Sequence, residues 1–188
     1  MERPSTVPIP IIPPSGSGPK VVLIGPPGGG KTVVGRALAA RLGVDFRDTD
    51  ADVEALGTPI TDIFRNDGEA AFRALERAAV ATALTSHKGV LALGGGAVTD
   101  ALTRERLHAY TATGGTIVFL DVSRDAVAER LGSGASRPLI AGGDPLDRWQ
   151  NLADQRRPLY EDIANVYMDT SQHSPDVLAE IIDEEIAE

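Results

Sequence analysis

The chain contains no cysteine, which excludes a disulfide framework, a thiolate metal site and a cysteine nucleophile, and suits a reducing cytoplasm. Lysine is nearly absent too, occurring only at Lys20, Lys31 and Lys88, so most of the positive charge is arginine. The planar guanidinium fork matches carboxylate and phosphate oxygens, although high-GC codon usage would leave the same bias. A formal net charge of −9 leaves no broad basic face for nucleic acid or an anionic membrane. An anionic ligand has to be met by a few placed cations. No stretch is apolar for long enough to cross a bilayer, and Pro8, Pro10, Pro13 and Pro14 interrupt the only candidate for a signal segment. The three histidines, His87, His108 and His173, share no metal-ligand spacing, and no G-x-S-x-G pattern occurs, so zinc and serine-hydrolase readings fall away.

The residues that are present read as one α/β domain. At 188 residues and 42% hydrophobic content the chain can bury one substantial core. Residues 1–19, rich in proline, serine and glycine, are expected to be a disordered extension preceding a single domain over 20–188. From Lys20, short aliphatic runs alternate with longer helical stretches, the pattern of a parallel sheet with crossover helices. Strands are expected at 21–25, at a short run ending in 47–50, at 89–95, 115–122 and 166–169. Helices are expected at 29–43, 60–66, 68–86, 101–112, 123–132, about 146–165 and from Pro175 onward. The segment 132–145 is glycine- and proline-rich and reads as a mobile connection.

The sharpest motif lies directly after the first strand. Gly25-Pro26-Pro27-Gly28-Gly29-Gly30-Lys31-Thr32 fits G-x-x-x-x-G-K-[ST] and opens into a helix, as a phosphate loop requires. Its backbone N–H groups and helix N-terminus would face phosphate oxygens, Lys31 would reach the β- and γ-phosphates, and Thr32 would offer a hydroxyl to Mg²⁺. The motif selects a nucleotide and a metal, not a reaction.

Other residues narrow the chemistry. Asp48-Thr49-Asp50 ends the second strand, at the edge where open parallel sheets bind ligands. If both carboxylates lie on a strand they face one site; the other reading is an Asx turn that caps the next element. Arg73 and Glu76 stand at i, i+3 on a helix, as a ligand-facing pair or a surface ion pair. Gly94-Gly95-Gly96 ends the third strand, and three glycines there favour close approach of something to the backbone over a simple turn. Arg137 lies in the 132–145 segment, preceded by Arg130 on a helix; an arginine on such a loop either closes over a nucleotide or is solvated. Of the adjacent Arg156 and Arg157, one can anchor a ligand while the other is solvated.

Together, the phosphate loop, LGVDFRDTDADVE, IFRNDGEAAFRALE, LALGGGAV, SRPLI and QRRPLY, in that order, resemble the shikimate kinase family from about Lys20 to the C-terminus. The resemblance implies a three-layer P-loop kinase with a five-stranded parallel sheet flanked by helices, a substrate-binding helical region at about 50–88 and a lid at about 132–145. It implies ATP-dependent phosphorylation of the shikimate 3-hydroxyl, toward aromatic amino acids, with ATP as co-substrate and Mg²⁺, in a cytoplasmic, monomeric enzyme without nucleic-acid or membrane partners. It further implies Lys31, Asp50 and Arg137 as catalytic. Gly28, Gly29, Gly30, Lys31, Thr32, Val33, Arg130, Arg137 and His173 would bind the nucleotide, and His173 departs from the more basic residues common at its position. Asp50, Arg73, Gly94, Gly95, Gly96 and Arg156 would bind shikimate, Glu76 would support Arg73, and Thr32 and Asp48 would serve the metal. Rival readings are a gluconate or nucleoside-monophosphate kinase on the same fold, or a catalytically idle nucleotide-binding module. A GTPase is disfavoured, since no N-K-x-D motif occurs.

Overall fold

A computed structural model describes residues 18–131 and 144–187. The expected extension, up to residue 17, and residues 132–143 of the expected lid, Arg137 among them, lie outside the described residues. Pro19, assigned to the extension from sequence, is buried, and its carbonyl accepts from Tyr110 Oη at 2.9 Å.

Five strands, β1 (Val21–Ile24), β2 (Phe46–Asp48), β3 (Val90–Ala92), β4 (Thr116–Asp121) and β5 (Val166–Asp169), form one parallel sheet in the order β2-β3-β1-β4-β5. The helices are α1 (Lys31–Leu42), α2 (Thr49–Glu54), α3 (Ile60–Asn66), α4 (Glu69–Ser86), α5 (Ala101–Ala112), α6 (Arg124–Leu131), α7 (Pro145–Ile163) and α8 (Pro175–Ala187). Side chains alternate across the sheet. Val22, Ile24, Leu91, Leu93, Ile117 and Phe119 pack on one face with Val80 and Leu84 of α4, Leu107 of α5 and Tyr160 of α7. Val21, Leu23, Val90, Val118 and Leu120 pack on the other with Val34 and Leu38 of α1 and Leu178 and Ile182 of α8. Burial on both faces is why the central strands read as unbroken apolar runs rather than alternating ones.

Three details differ from the sequence expectation. The second strand stops at Asp48 instead of running to Asp50, because the Asp48 side chain accepts from the Asp50 amide at 3.0 Å and caps α2. The short helix α2 has no counterpart in the sequence expectation. A 3-10 turn, Ala97–Thr99, succeeds the glycines after β3. As expected from the sequence, helix α7 continues through Pro158, despite the hydrogen bond that proline removes. Burial of Trp149, Arg156, Tyr160 and Ile163 along it offsets that loss.

Gly35 of α1 is where this helix rests on the sheet: a Cβ there would run into the Phe46 ring and come within 3.2 Å of Leu23 Cδ1. Overpacking costs about 1–3 kcal/mol, against about 1 kcal/mol gained in helix propensity by alanine. Gly35→Ala is therefore expected to lower unfolding free energy by up to about 2 kcal/mol in urea titration; a raised midpoint would contradict this packing.

Candidate active site

The sheet delivers three loops to one edge: the phosphate loop after β1, the Asp48 turn after β2 and the glycines after β3. Gly25, with φ 145°, tolerates no side chain, since a Cβ would collide with the Leu120 carbonyl. Lys31 Nζ donates to the carbonyls of Gly25 (2.8 Å) and Pro26 (3.0 Å), and the Gly29 amide to Pro26 O at 3.1 Å. Gly30 caps α1 with φ 84°. Thr32 Oγ1 donates to Asp48 Oδ2 at 3.0 Å, so the hydroxyl and carboxylate singled out as metal ligands meet directly.

A cavity of about 470 Å³ opens here, lined by Gly28, Gly30, Lys31, Thr32, Val33, Asp48, Asp50, Gly95, Arg130 and His173 among others. Arg130, which lines it, donates to Gly28 O (2.9 Å), Thr170 Oγ1 (3.0 Å) and Thr170 O (2.5 Å). It thereby ties the phosphate loop to the segment before α8, where His173 also lines the cavity.

The second half of the site is a buried charge cluster. Glu76 is 2% exposed, so its pairing with Arg73, NH1 to Oε2 at 2.6 Å, is not a surface ion pair. Arg73 also reaches Glu69 Oε1 at 3.3 Å. The Arg73 guanidinium lies where a Cβ on Gly96 would be, and Glu76 Oε1 and Asp50 Oδ1 both crowd the corresponding space at Gly94. Gly94 and Gly96 are thus glycines because charged side chains occupy the room, and the Gly94 amide donates to Thr49 Oγ1 at 3.1 Å. Burial raises the Glu76 carboxyl above its ordinary range, Arg73 and Arg156 oppose this, and Asp50 adds to it. Arg156 is 6% exposed with its NH1 atom buried and unpartnered. Its neighbour Arg157 is not merely solvated, as the sequence allowed, but donates from one nitrogen, Nη2, to both Asp121 oxygens at 2.7 Å.

Two residues with no role assigned from sequence secure the site. Tyr160 Oη donates to Gly95 O at 2.6 Å, and burial pushes its phenol up to about 12. Trp149 Nε1 donates to Pro27 O at 2.7 Å. With Arg156 they stand at i, i+7 and i+11 on α7, one helix face, a spacing visible in the sequence. Thr32 and Asp48 offer hard oxygen donors, and no group of three acidic or histidine side chains that could hold a metal occurs among the described residues. That donor set fits Mg²⁺, which takes most of its ligands from phosphates and water rather than from a protein cage. Among the described residues no helix is long and apolar enough to cross a membrane.

A five-stranded parallel sheet with a phosphate loop after β1 and a charged acceptor cluster beside it defines a P-loop kinase. The sequence model of the family described as Shikimate kinase matches residues 27–187. The chain is 49% identical over 171 residues to a shikimate kinase of Thermobifida fusca, covering 90% of this chain and 96% of that one. It is 52% identical over 162 residues to a shikimate kinase of Salinispora arenicola, covering 86% and 93%. A solved shikimate kinase from Acinetobacter baumannii in complex with shikimate superposes with a TM-score of 0.83 at 35% identity, covering 92% of this chain and 94% of that one. The chain belongs to the shikimate kinase family.

The raised Glu76 carboxyl has a thermodynamic consequence. Because the folded carboxyl titrates above its ordinary 4.5, the native state binds more proton than the unfolded state just above that pH, so stability falls as pH rises through the window between the two titrations. Urea titrations of the ligand-free protein between pH 4.5 and 8 should show the wild type losing stability relative to Glu76→Gln as pH increases. Parallel profiles would rule out Glu76 as the group responsible.

Proposed function

We propose that this chain transfers the γ-phosphoryl group of ATP to the 3-hydroxyl of shikimate, giving shikimate 3-phosphate and ADP, as a cytoplasmic monomer. The observation that carries it is the junction at one sheet edge of the Thr32–Asp48 pair (3.0 Å) with the Asp50–Glu76–Arg73–Arg156 cluster. The first half suits a nucleotide's phosphates and their cation; the second suits a small carboxylic acid with a hydroxyl to present.

In this reading the 28–30 glycines, Lys31, Val33, Arg130 and His173 hold the nucleotide. Thr32 and Asp48 serve Mg²⁺, which when bound neutralises charge on the phosphates. Arg73, kept in place by Glu76 and Glu69, and Arg156, with its buried unpartnered NH1, fork onto the substrate carboxylate. Gly94, Gly95 and Gly96 let the acid approach the backbone. Asp50, beside Glu76 at Gly94, accepts a hydrogen bond from the acceptor hydroxyl and orients it toward the phosphate; its proton passes to Asp50 or onward with transfer. Phosphoryl transfer has a loose transition state, so positioning and charge neutralisation outweigh proton abstraction. Arg137, the further cation expected from the sequence, lies outside the described residues.

An ADP-release assay with ATP and Mg²⁺ against shikimate, quinate, gluconate and nucleoside monophosphates tests the assignment. Turnover is expected on shikimate, falling by about 10²-fold or more in Asp50→Asn. Reaction with a different acceptor and none with shikimate would refute it. Arg156→Ala is expected to raise KM for shikimate by at least about 10-fold with KM for ATP little changed; equal effects on both would remove Arg156 from the acid subsite.

A further inference from the structure

The phosphate loop in this chain is held by its carbonyls. Gly25 O and Pro26 O take Lys31 Nζ, Pro26 O also takes the Gly29 amide, Gly28 O takes Arg130, and Pro27 O takes the indole N–H of Trp149 at 2.7 Å. Four successive peptide oxygens are thereby fixed. A trans peptide is planar, with its N–H opposed to its C=O. Pinning Pro27 O therefore turns the Gly28 N–H away from α7, and Gly28 lines the nucleotide-side cavity.

Trp149 is well placed to act as an anchor rather than as filler. It is 2% exposed and packs with Val122 and Val127 in a small apolar cluster separate from the two main cores. Val127 is also the nearest side chain beneath Gly28, with Cγ2 3.4 Å from where a Cβ would stand. The indole ring is thus immobilised by packing, and its single donor goes to the loop. Trp149 lies four residues into α7, the helix that comes immediately after the 132–143 segment and carries Arg156 and Tyr160 further along the same face.

We propose that Trp149 is a positioning residue for the phosphate loop, its indole N–H holding the Pro27–Gly28 peptide so that the Gly28 amide faces the nucleotide phosphates. This rests on the reading of the cavity as a nucleotide site. Loss of the N–H frees one peptide plane of the loop while leaving the acid subsite untouched, so the defect is confined to the nucleotide.

Trp149→Phe keeps a ring in the cluster and removes the donor. Calorimetric titration with ADP and Mg²⁺ is expected to show a dissociation constant raised about 3- to 10-fold, the range for one lost hydrogen bond. KM for ATP should rise by a similar factor, KM for shikimate should stay within twofold, and kcat should change less than KM for ATP. Because this is the only tryptophan, the wild-type protein supplies a second measurement that needs no variant: ADP should shift or quench its fluorescence with the calorimetric dissociation constant, and shikimate alone should not. Equal ADP binding by wild type and Trp149→Phe, a rise in both KM values together, or fluorescence indifferent to saturating ADP would overturn the role of Trp149 while leaving the nucleotide site standing. Failure of the wild type to bind ADP at all would overturn the nucleotide reading and this proposal with it.

Discussion

A parallel sheet covered by helices on both faces can meet ligands only at its ends, and this constraint organises the whole molecule. β1, β2 and β3 end at the same edge, and each leads into a different kind of segment: a loop of amides, a carboxylate that caps a helix, and a run of glycines. Parallel pairing aligns those three ends, and the pairing persists past β3, where the Leu93 amide donates to Leu23 O at 3.0 Å. The phosphate loop and the glycine run are brought into contact as a result, with the Pro27 ring against the backbone of Gly95.

Electrostatics then divides the edge into two halves. On the side of α1, the charged groups sit against an open cavity and bond to backbone carbonyls or to each other. On the side of α4 and α7, Glu76, Arg73 and Arg156 are withdrawn from water, where charges interact strongly and an unpaired one is costly. Glu76 stabilises the two guanidinium groups near it, and they in turn limit how far burial can raise its carboxyl. One oxygen of Glu76 and one nitrogen of Arg156 remain buried without hydrogen bonds, a strain that a bidentate anion on the arginine side would relieve.

Helix α7 joins the halves. Its Trp149, Arg156 and Tyr160 share a face and touch, respectively, the phosphate loop, the charge cluster and the glycine run. Three attachments along one face fix this helix against the sheet edge.

Much of this is legible in the residues themselves. The strand and helix alternation, the spans 60–66, 101–112 and 166–169, the closure of α1 at Gly43, and the phosphate loop all derive from local propensity, periodicity and glycine geometry, which act over a few residues. Asp48 is harder, because an Asx cap and a ligand-edge carboxylate look alike in sequence; here one oxygen caps the Asp50 amide and the other accepts from Thr32 at the cavity. Which arginine of the Arg156–Arg157 pair is buried, whether Arg73–Glu76 is a surface pair, and that Trp149 holds Pro27 from 122 residues away could not be read locally. Burial and long-range pairing set those answers, since the energy of a charge depends on the dielectric and partners around it, and only the folded chain supplies them.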